Sequence, residues 1–324
     1  MFIRDFGLDT ITLAGALPGK LQAIREAGFS QVMLSARDIA GHAGGVDDAV
    51  ACVRASGLRV TGFQVLRDFE GLSGHLHGYK VDVAKSMISM CKAVGAPLLL
   101  ACSSTSQHAS ADLQAIGRDL RKLAMLALPH GIRIVYEGLS WGRHINEYTT
   151  AWQAVQLGDM PNLGLAIDSY HIFATKTALD GLDEVDPARI FFVQLSDFMW
   201  HEVRTPEERM ATARTFRVFP GEGVHTPQLT ELVLRLQRMG YAGDYSFEVF
   251  NDDYQQMPPS VVAARGPRSG GADHFAAAGR GRRAAEWLAE DVLRRSVPLP
   301  HEGRLDRTAA LARRLSGPPA PFEA

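Results

Sequence analysis

The sequence predicts a closed (β/α)8 barrel, and three observations carry that expectation. Short apolar runs alternate with longer amphipathic stretches along most of the 324 residues, which is the mark of βα units and a parallel sheet. Eight such runs can be read, the number that closes a barrel with helices outside. No GxGxxG follows the first run, so the main signature of an open dinucleotide-binding sheet is missing.

In chain order the expected strands are ITLAGAL near 11, QVMLSA near 31, RVTGFQV near 59, PLLLACS near 97, IRIVYEGL near 132, LGLAIDS near 163, IFFVQLSD near 190 and YSFEVFN near 245. Helical patterns lie between them: GKLQAIREAG, DDAVACVRASG, YKVDVAKSMISMCKAVG, ADLQAIGRDLRKLAMLALPHG, EYTTAWQAVQL and TPQLTELVLRLQRMG. Several end in Gly with a basic residue shortly before, as a helix C-terminus should. After the eighth run the pattern changes to PPSVVAARGPRSGGADHFAAAGRGRR, a loop-like Gly/Arg-rich stretch where many barrels bind phosphate, though its composition also suits a solvated linker. RAAEWLAEDVLRRS then reads as the eighth outer helix. The domain plan is one barrel over residues 1–295 with an insertion near 256–283, followed by a tail over 296–324.

A 46% hydrophobic content supports one large core, and a formal net charge of -2 disfavours nucleic acid or an anionic membrane as partner. The expected partner is a small-molecule substrate, and nothing here argues against a homo-oligomer. The cysteines, Cys52, Cys91 and Cys102, are well separated and odd in number, as in reduced proteins. With no apolar signal core at the N-terminus and no run long enough to span a bilayer, the expected location is the cytoplasm.

Four runs finish on an oxygen-bearing side chain: Glu137, Asp168, Gln194 and Glu248. In a parallel barrel the strand C-termini meet at one mouth, and carboxylates with an amide oxygen suit one divalent ion such as Mg²⁺, Mn²⁺ or Co²⁺ better than a thiolate-loving one. Each has an ordinary alternative. Asp168 could cap the following helix, Gln194 could be a satisfied core amide, and Glu248 could pair with a strand-end Arg. Glu137, in a strongly apolar strand, needs a cation of some kind. His171, three residues past Asp168, is either a base over the same site or a helix-start His bonded to backbone. Arg217 in RTFRVFPGEG could clamp a substrate carboxylate with its planar fork or lie on the surface. Arg67 in QVLRDFEG is a second anion-binding candidate, and His144 and Trp141 either shape the pocket wall or belong to a structural turn.

Together the segments FQVLRDFEG, YEGLSWGRHINEY, LGLAIDSYHIFA, IFFVQLSD, RTFRVFPGEG and FEVFND, from about residue 62 to 252, resemble the xylose-isomerase-like superfamily of metal-dependent barrels, which includes sugar isomerases and epimerases. Within it the chain is most similar to bacterial 3-dehydroshikimate dehydratases. Gln in the strand-seven ligand position resembles the group often fused to a dioxygenase-like domain, of which this chain would be a stand-alone form. The resemblance implies Glu137, Asp168, Gln194 and Glu248 as metal ligands and both glutamates and His171 as proton-transfer candidates, with Arg217 holding substrate. It implies dehydration of 3-dehydroshikimate to protocatechuate through a metal-stabilised enolate, with His171 as base. Two departures stand out: Ala213 and Thr215 replace the small polar and basic residues expected before RVFPGEG, and MLSAR lacks the carboxylate many relatives carry at the second strand. The rival readings are a sugar or sugar-phosphate isomerase or epimerase, an eliminase acting on an oxidised glycoside, and a non-catalytic metal-stabilised binding subunit.

Overall fold

The computed structural model describes residues 3–268. The strands are β1 (Phe6–Asp9), β2 (Gln31–Ser35), β3 (Arg59–Arg67), β4 (Leu98–Cys102), β5 (Arg133–Glu137), β6 (Leu163–Asp168), β7 (Ile190–Leu195), a two-stranded ribbon of β8 (Asp197–Phe198) and β9 (Arg217–Val218), and β10 (Asp244–Phe247). Eight of them close a barrel in the order β1, β10, β7, β6, β5, β4, β3, β2, every pair parallel. The helices are α1 (Leu17–Glu26), α2 (Ala36–Ala40), α3 (Gly45–Ser56), α4 (Gly74–Val94), α5 (Leu113–Ala127), α6 (Tyr148–Gly158), α7 (Ser169–Thr175), α8 (Pro206–Thr215), α9 (Thr226–Met239), α10 (Pro259–Ala263) and α11 (Arg265–Arg268). No described helix is long and apolar enough to cross a membrane.

Strand periodicity divides the core in two. On β5, Ile134 and Tyr136 join the large apolar layer beneath the helices. Val135 turns the other way, onto Met33, Leu98, Leu100, Ala166 and Phe192, which fill the barrel. Glu137 follows Val135 by two residues and therefore ends the same inward face. Gly62 is required by this filling, since a Cβ there would lie 2.4 Å from Leu98 Cδ1 and 2.8 Å from Met33 Sδ.

Seven expected strands fall where the pattern puts them; the first does not. ITLAGAL is not a strand. The strand is the preceding Phe6–Asp9, and Thr10–Thr12 form a 3-10 turn. The threonine hydroxyls explain the change: Thr10 Oγ1 accepts from Ser35 N–H at 2.9 Å and Thr12 Oγ1 from Val249 N–H at 3.0 Å, so they cap neighbouring strand ends. The start of the expected loop-like insertion is helical, with Val262 and Ala263 of α10 buried. Its remainder, the expected eighth outer helix and the tail lie outside the described residues.

Candidate metal centre and active site

Barrel order makes neighbours of the four predicted ligand positions, because β5, β6, β7 and β10 are consecutive around the wall. Asp168 pairs in register with Gln194, and Gln194 with Ser246, two residues before Glu248. Glu137, Asp168 and His171 each bring a potential ligand atom within 4.8 Å of the others. Glu248 joins them through Arg217, whose Nη1 donates to Asp168 Oδ2 at 2.7 Å and Glu248 Oε2 at 3.1 Å.

Arg217 is thus placed otherwise than expected. It is 2% exposed, its Nε donates to the Ala213 carbonyl at 2.9 Å, and Tyr170 packs on the guanidinium at 4.5 Å. Burial works against its charge, but Asp168 and Glu248 outweigh that and hold it firmly protonated. It neutralises the cluster instead of reaching out as a free clamp. Asp168 also realises its alternative role, capping α7 through Tyr170 N–H at 2.8 Å, with Oδ2 left for Arg217.

The cluster fits a divalent cation. Glu137, Asp168 and Glu248 face one guanidinium, leaving two negative charges where all three carboxylates are ionised. Glu137 Oε1 and Gln194 Oε1 are buried oxygens without a hydrogen-bond donor, and such orphans call for an ion or water. Burial, then the charges of Asp168 and Glu248, lift the Glu137 carboxyl well above its ordinary range; burial, opposed by Arg217, lifts Glu248 to about 7. A cation would relieve both.

Two buried groups that the sequence reading missed hold Gln194 and Glu137 in place. Asp9, at the end of β1, accepts from Gln64 Nε2 at 3.0 Å, from Gln194 Nε2 at 2.8 Å and from the Ser246 hydroxyl. The Gln194 amide is thereby oriented with its nitrogen on Asp9 and its oxygen free. Cys102, cross-strand from Glu137, donates its thiol to Glu137 Oε2 at 3.0 Å; burial and the Glu137 charge keep it protonated.

His171 meets both of its predicted surroundings. Its Nδ1 accepts from the Ser140 backbone N–H at 3.1 Å, and Nε2 stands 3.5 Å from Asp168 Oδ2 and 4.0 Å from Glu137 Oε1. Burial drives its pKa down to about 3, so the ring is neutral. With Nδ1 accepting, the proton of that neutral ring sits on Nε2.

A cavity of about 270 Å³ opens beside the cluster, with Glu137, Glu248, His171 and Arg217 on one side and Arg67, Arg214 and Trp141 also in its wall. Arg214, another residue the sequence reading passed over, lies over the Trp141 ring at 5.8 Å. Among the described residues neither Arg67 nor Arg214 has an ion-pair partner. His144 is absent from this wall: its Nε2 meets the Ala109 carbonyl at 3.0 Å, joining two loops.

A barrel of this topology with oxygen-bearing side chains at successive strand ends defines a class, and the chain belongs to the xylose isomerase-like TIM barrel family, whose model matches residues 21–278. Within that class it is 35% identical over 260 residues to a 3-dehydroshikimate dehydratase of Pseudomonas aeruginosa, covering 80% of this chain and 40% of that protein. The chain therefore spans about two fifths of that relative's length. A solved xylose isomerase-like TIM barrel/4-hydroxyphenylpyruvate dioxygenase fusion protein superposes with a TM-score of 0.76 at 33% identity, over 83% of this chain and 42% of that one. A protein described as IOLI with a binding zinc atom shares the fold, with a TM-score of 0.71 at 19% identity over 83% of this chain and 96% of that one.

Proposed function

We propose that this protein is a metal-dependent 3-dehydroshikimate dehydratase. The observation that carries the reading is one cavity lined both by Glu137 and Glu248 of the oxygen-rich cluster and by Arg67 and Arg214, two arginines free of ion pairs. The similarity to the Pseudomonas enzyme supports it. Glu137, Asp168, Gln194 and Glu248 would hold the divalent ion, a role supported by the orphaned oxygens of Glu137 and Gln194 and by the nearness of Asp168 to Glu137. Bound there, it supplies Lewis-acid polarisation of a carbonyl oxygen and cancels the cluster's excess negative charge.

The chain's own residues do the rest. Arg67 and Arg214 bind the ring carboxylate, the role first expected of Arg217, and Trp141 lays a flat apolar wall beside them. Removal of the α-proton falls to the Glu137 and Glu248 carboxylates, which both line the cavity. His171, neutral with its proton on Nε2, passes that proton to the departing β-hydroxyl, which leaves as water, and Nε2 is reprotonated with the α-proton that Glu137, 4.0 Å away, has taken up; this replaces the base role expected of it. A final proton shift within the ring gives the aromatic acid. A neutral-sugar isomerase has no use for two arginines at the cavity.

The test is to incubate metal-loaded protein with 3-dehydroshikimate and follow the absorbance of protocatechuate. Arg67→Met and Arg214→Met should each lower kcat/KM by about 1.5 to 3 kcal/mol, the worth of a hydrogen bond to a charged group, with metal content unchanged. Absence of product, or parental kcat/KM in both variants, overturns the reading.

A further inference from the structure

We propose a second metal site outside the barrel mouth, formed by His42, Asp48 and Cys52, that binds one Zn²⁺-class ion where the chain passes from α2 to α3. Asp48 and Cys52 are four residues apart on α3 and so share a helix face. His42 reaches them from the α2–α3 connection, its Nε2 2.8 Å from Asp48 Oδ2. One ligand atom from each residue lies within 4.8 Å of the other two. Around a tetrahedral ion with bonds of roughly 2.0 to 2.3 Å, ligand atoms stand about 3.3 to 3.8 Å apart, so small side-chain rotations complete the site.

The surroundings are built for this approach. The His42 side chain is only 9% exposed whereas that of Asp48 is 58% exposed, so the imidazole is held in place while the carboxylate side faces solvent and leaves a position for water. Gly44 makes room: a Cβ there would come within 2.3 Å of Asp48 Oδ2. Attraction of Asp48 to the start of α3 and its pairing with His42 account for two of the three residues but not for the thiol beside them. One imidazole, one thiolate and one carboxylate select a borderline ion such as Zn²⁺ or Co²⁺ over Mg²⁺, in contrast to the all-oxygen ligand set at the mouth. Binding displaces the Cys52 thiol proton and ties the segment after β2 to α3. The inference is independent of the dehydratase reading.

The experiment is optical titration of the metal-free full chain with Co²⁺, since only a thiolate ligand gives a sulfur-to-cobalt charge-transfer band in the near ultraviolet. The chain has three cysteines; Cys91 is fully buried in the apolar core, and Cys102 lies beside Glu137 at the mouth. The expected result is a band that saturates at one ion per chain, vanishes in Cys52→Ser together with one equivalent of bound Co²⁺, weakens in affinity in His42→Ala, and persists in Cys102→Ser. No band in the parent, or a band that survives Cys52→Ser, overturns the proposal. Failure of the mouth site would appear separately, as a Cys52→Ser protein that retains no Glu137-dependent ion.

Discussion

Asp9 accepts three hydrogen bonds at the floor of the cluster, and the bond from Gln194 decides which end of that amide is available to an ion. Asp9→Ala removes both oxygens, so the Gln194 amide loses its partner and its fixed orientation. Metal affinity measured by equilibrium dialysis should fall about 10- to 100-fold, the usual cost of losing a group that orients a ligand, while circular dichroism reports an intact barrel; unchanged affinity would remove Asp9 from the site. His171→Ala separates the acid role from the base role. If His171 only protonates the leaving hydroxyl, the variant loses product formation by a factor on the order of 10² yet still exchanges the substrate α-proton with solvent deuterium, as followed by NMR. Loss of both would return the base role to His171. These residues also mark the limit of what the sequence makes legible. Glu137 and Asp168 could be picked out because they end strands with clear apolar patterns. Asp9 also ends a strand, but a four-residue one, FGLD, overshadowed by the more apolar ITLAGAL beside it. Arg217 was visible as a cation near the site, but which carboxylates it meets depends on β9 pairing with β8, a contact no local pattern encodes.

At the scale of elements, α8 is the least self-evident helix, and it brings Ala213 and Arg214 to the cavity wall. Its sequence, PEERMATART, is polar nearly throughout, with only Thr212 and Ala213 buried, so apolar periodicity could not announce it. Its signal is a capping box: Glu208 N–H donates to Thr205 Oγ1 at 3.1 Å and Thr205 N–H to Glu208 Oε2 at 3.3 Å, a spacing readable in TPEE. With so little buried surface, the cap is a large share of what fixes this helix, and Arg214 sits in its last turn. Thr205→Ala should destabilise the protein by about 1 kcal/mol in a denaturant titration and raise KM for 3-dehydroshikimate more than it lowers kcat. A variant with parental stability and KM would show that packing, not the cap, holds α8. The long helices behave differently. α5 buries Ile116, Leu120, Leu123 and Ala127 on one face, behind an N-cap in which Asp112 accepts from Gln114 N–H at 2.9 Å, and its apolar periodicity was plain in the sequence.

Across the whole molecule, barrel closure brings distant buried acids under a common constraint. Glu70, after β3, accepts from Ser104 N–H after β4 and from Tyr136 O–H at 2.9 Å on β5, linking three neighbouring βα units away from the ligand set. Burial lifts its pKa from 4.5 to about 7, with those hydrogen bonds opposing the rise. A carboxyl raised on folding binds more protons in the native state than in the unfolded one, so its stabilisation is complete below about pH 4.5 and lost as pH rises through about 7. In metal-free protein Glu248, also lifted to about 7 by burial, adds a second loss of the same sign. In metal-loaded protein the ion holds Glu248 deprotonated, while Glu70 is opposed by His171, whose lowering from 6.5 to about 3 gives stability that grows as pH rises towards about 6.5. Between about pH 5 and about pH 8 the Glu70 contribution should therefore appear in melting curves as a Tm that falls more steeply, or rises less, with pH in the parent than in a variant without this carboxyl. Glu70→Gln keeps the shape and carries no charge at either pH, so the difference between its profile and the parent's, loaded or metal-free, isolates the Glu70 contribution. A loaded profile equally steep in parent and Glu70→Gln would show that Glu70 titrates alike in the folded and unfolded chain.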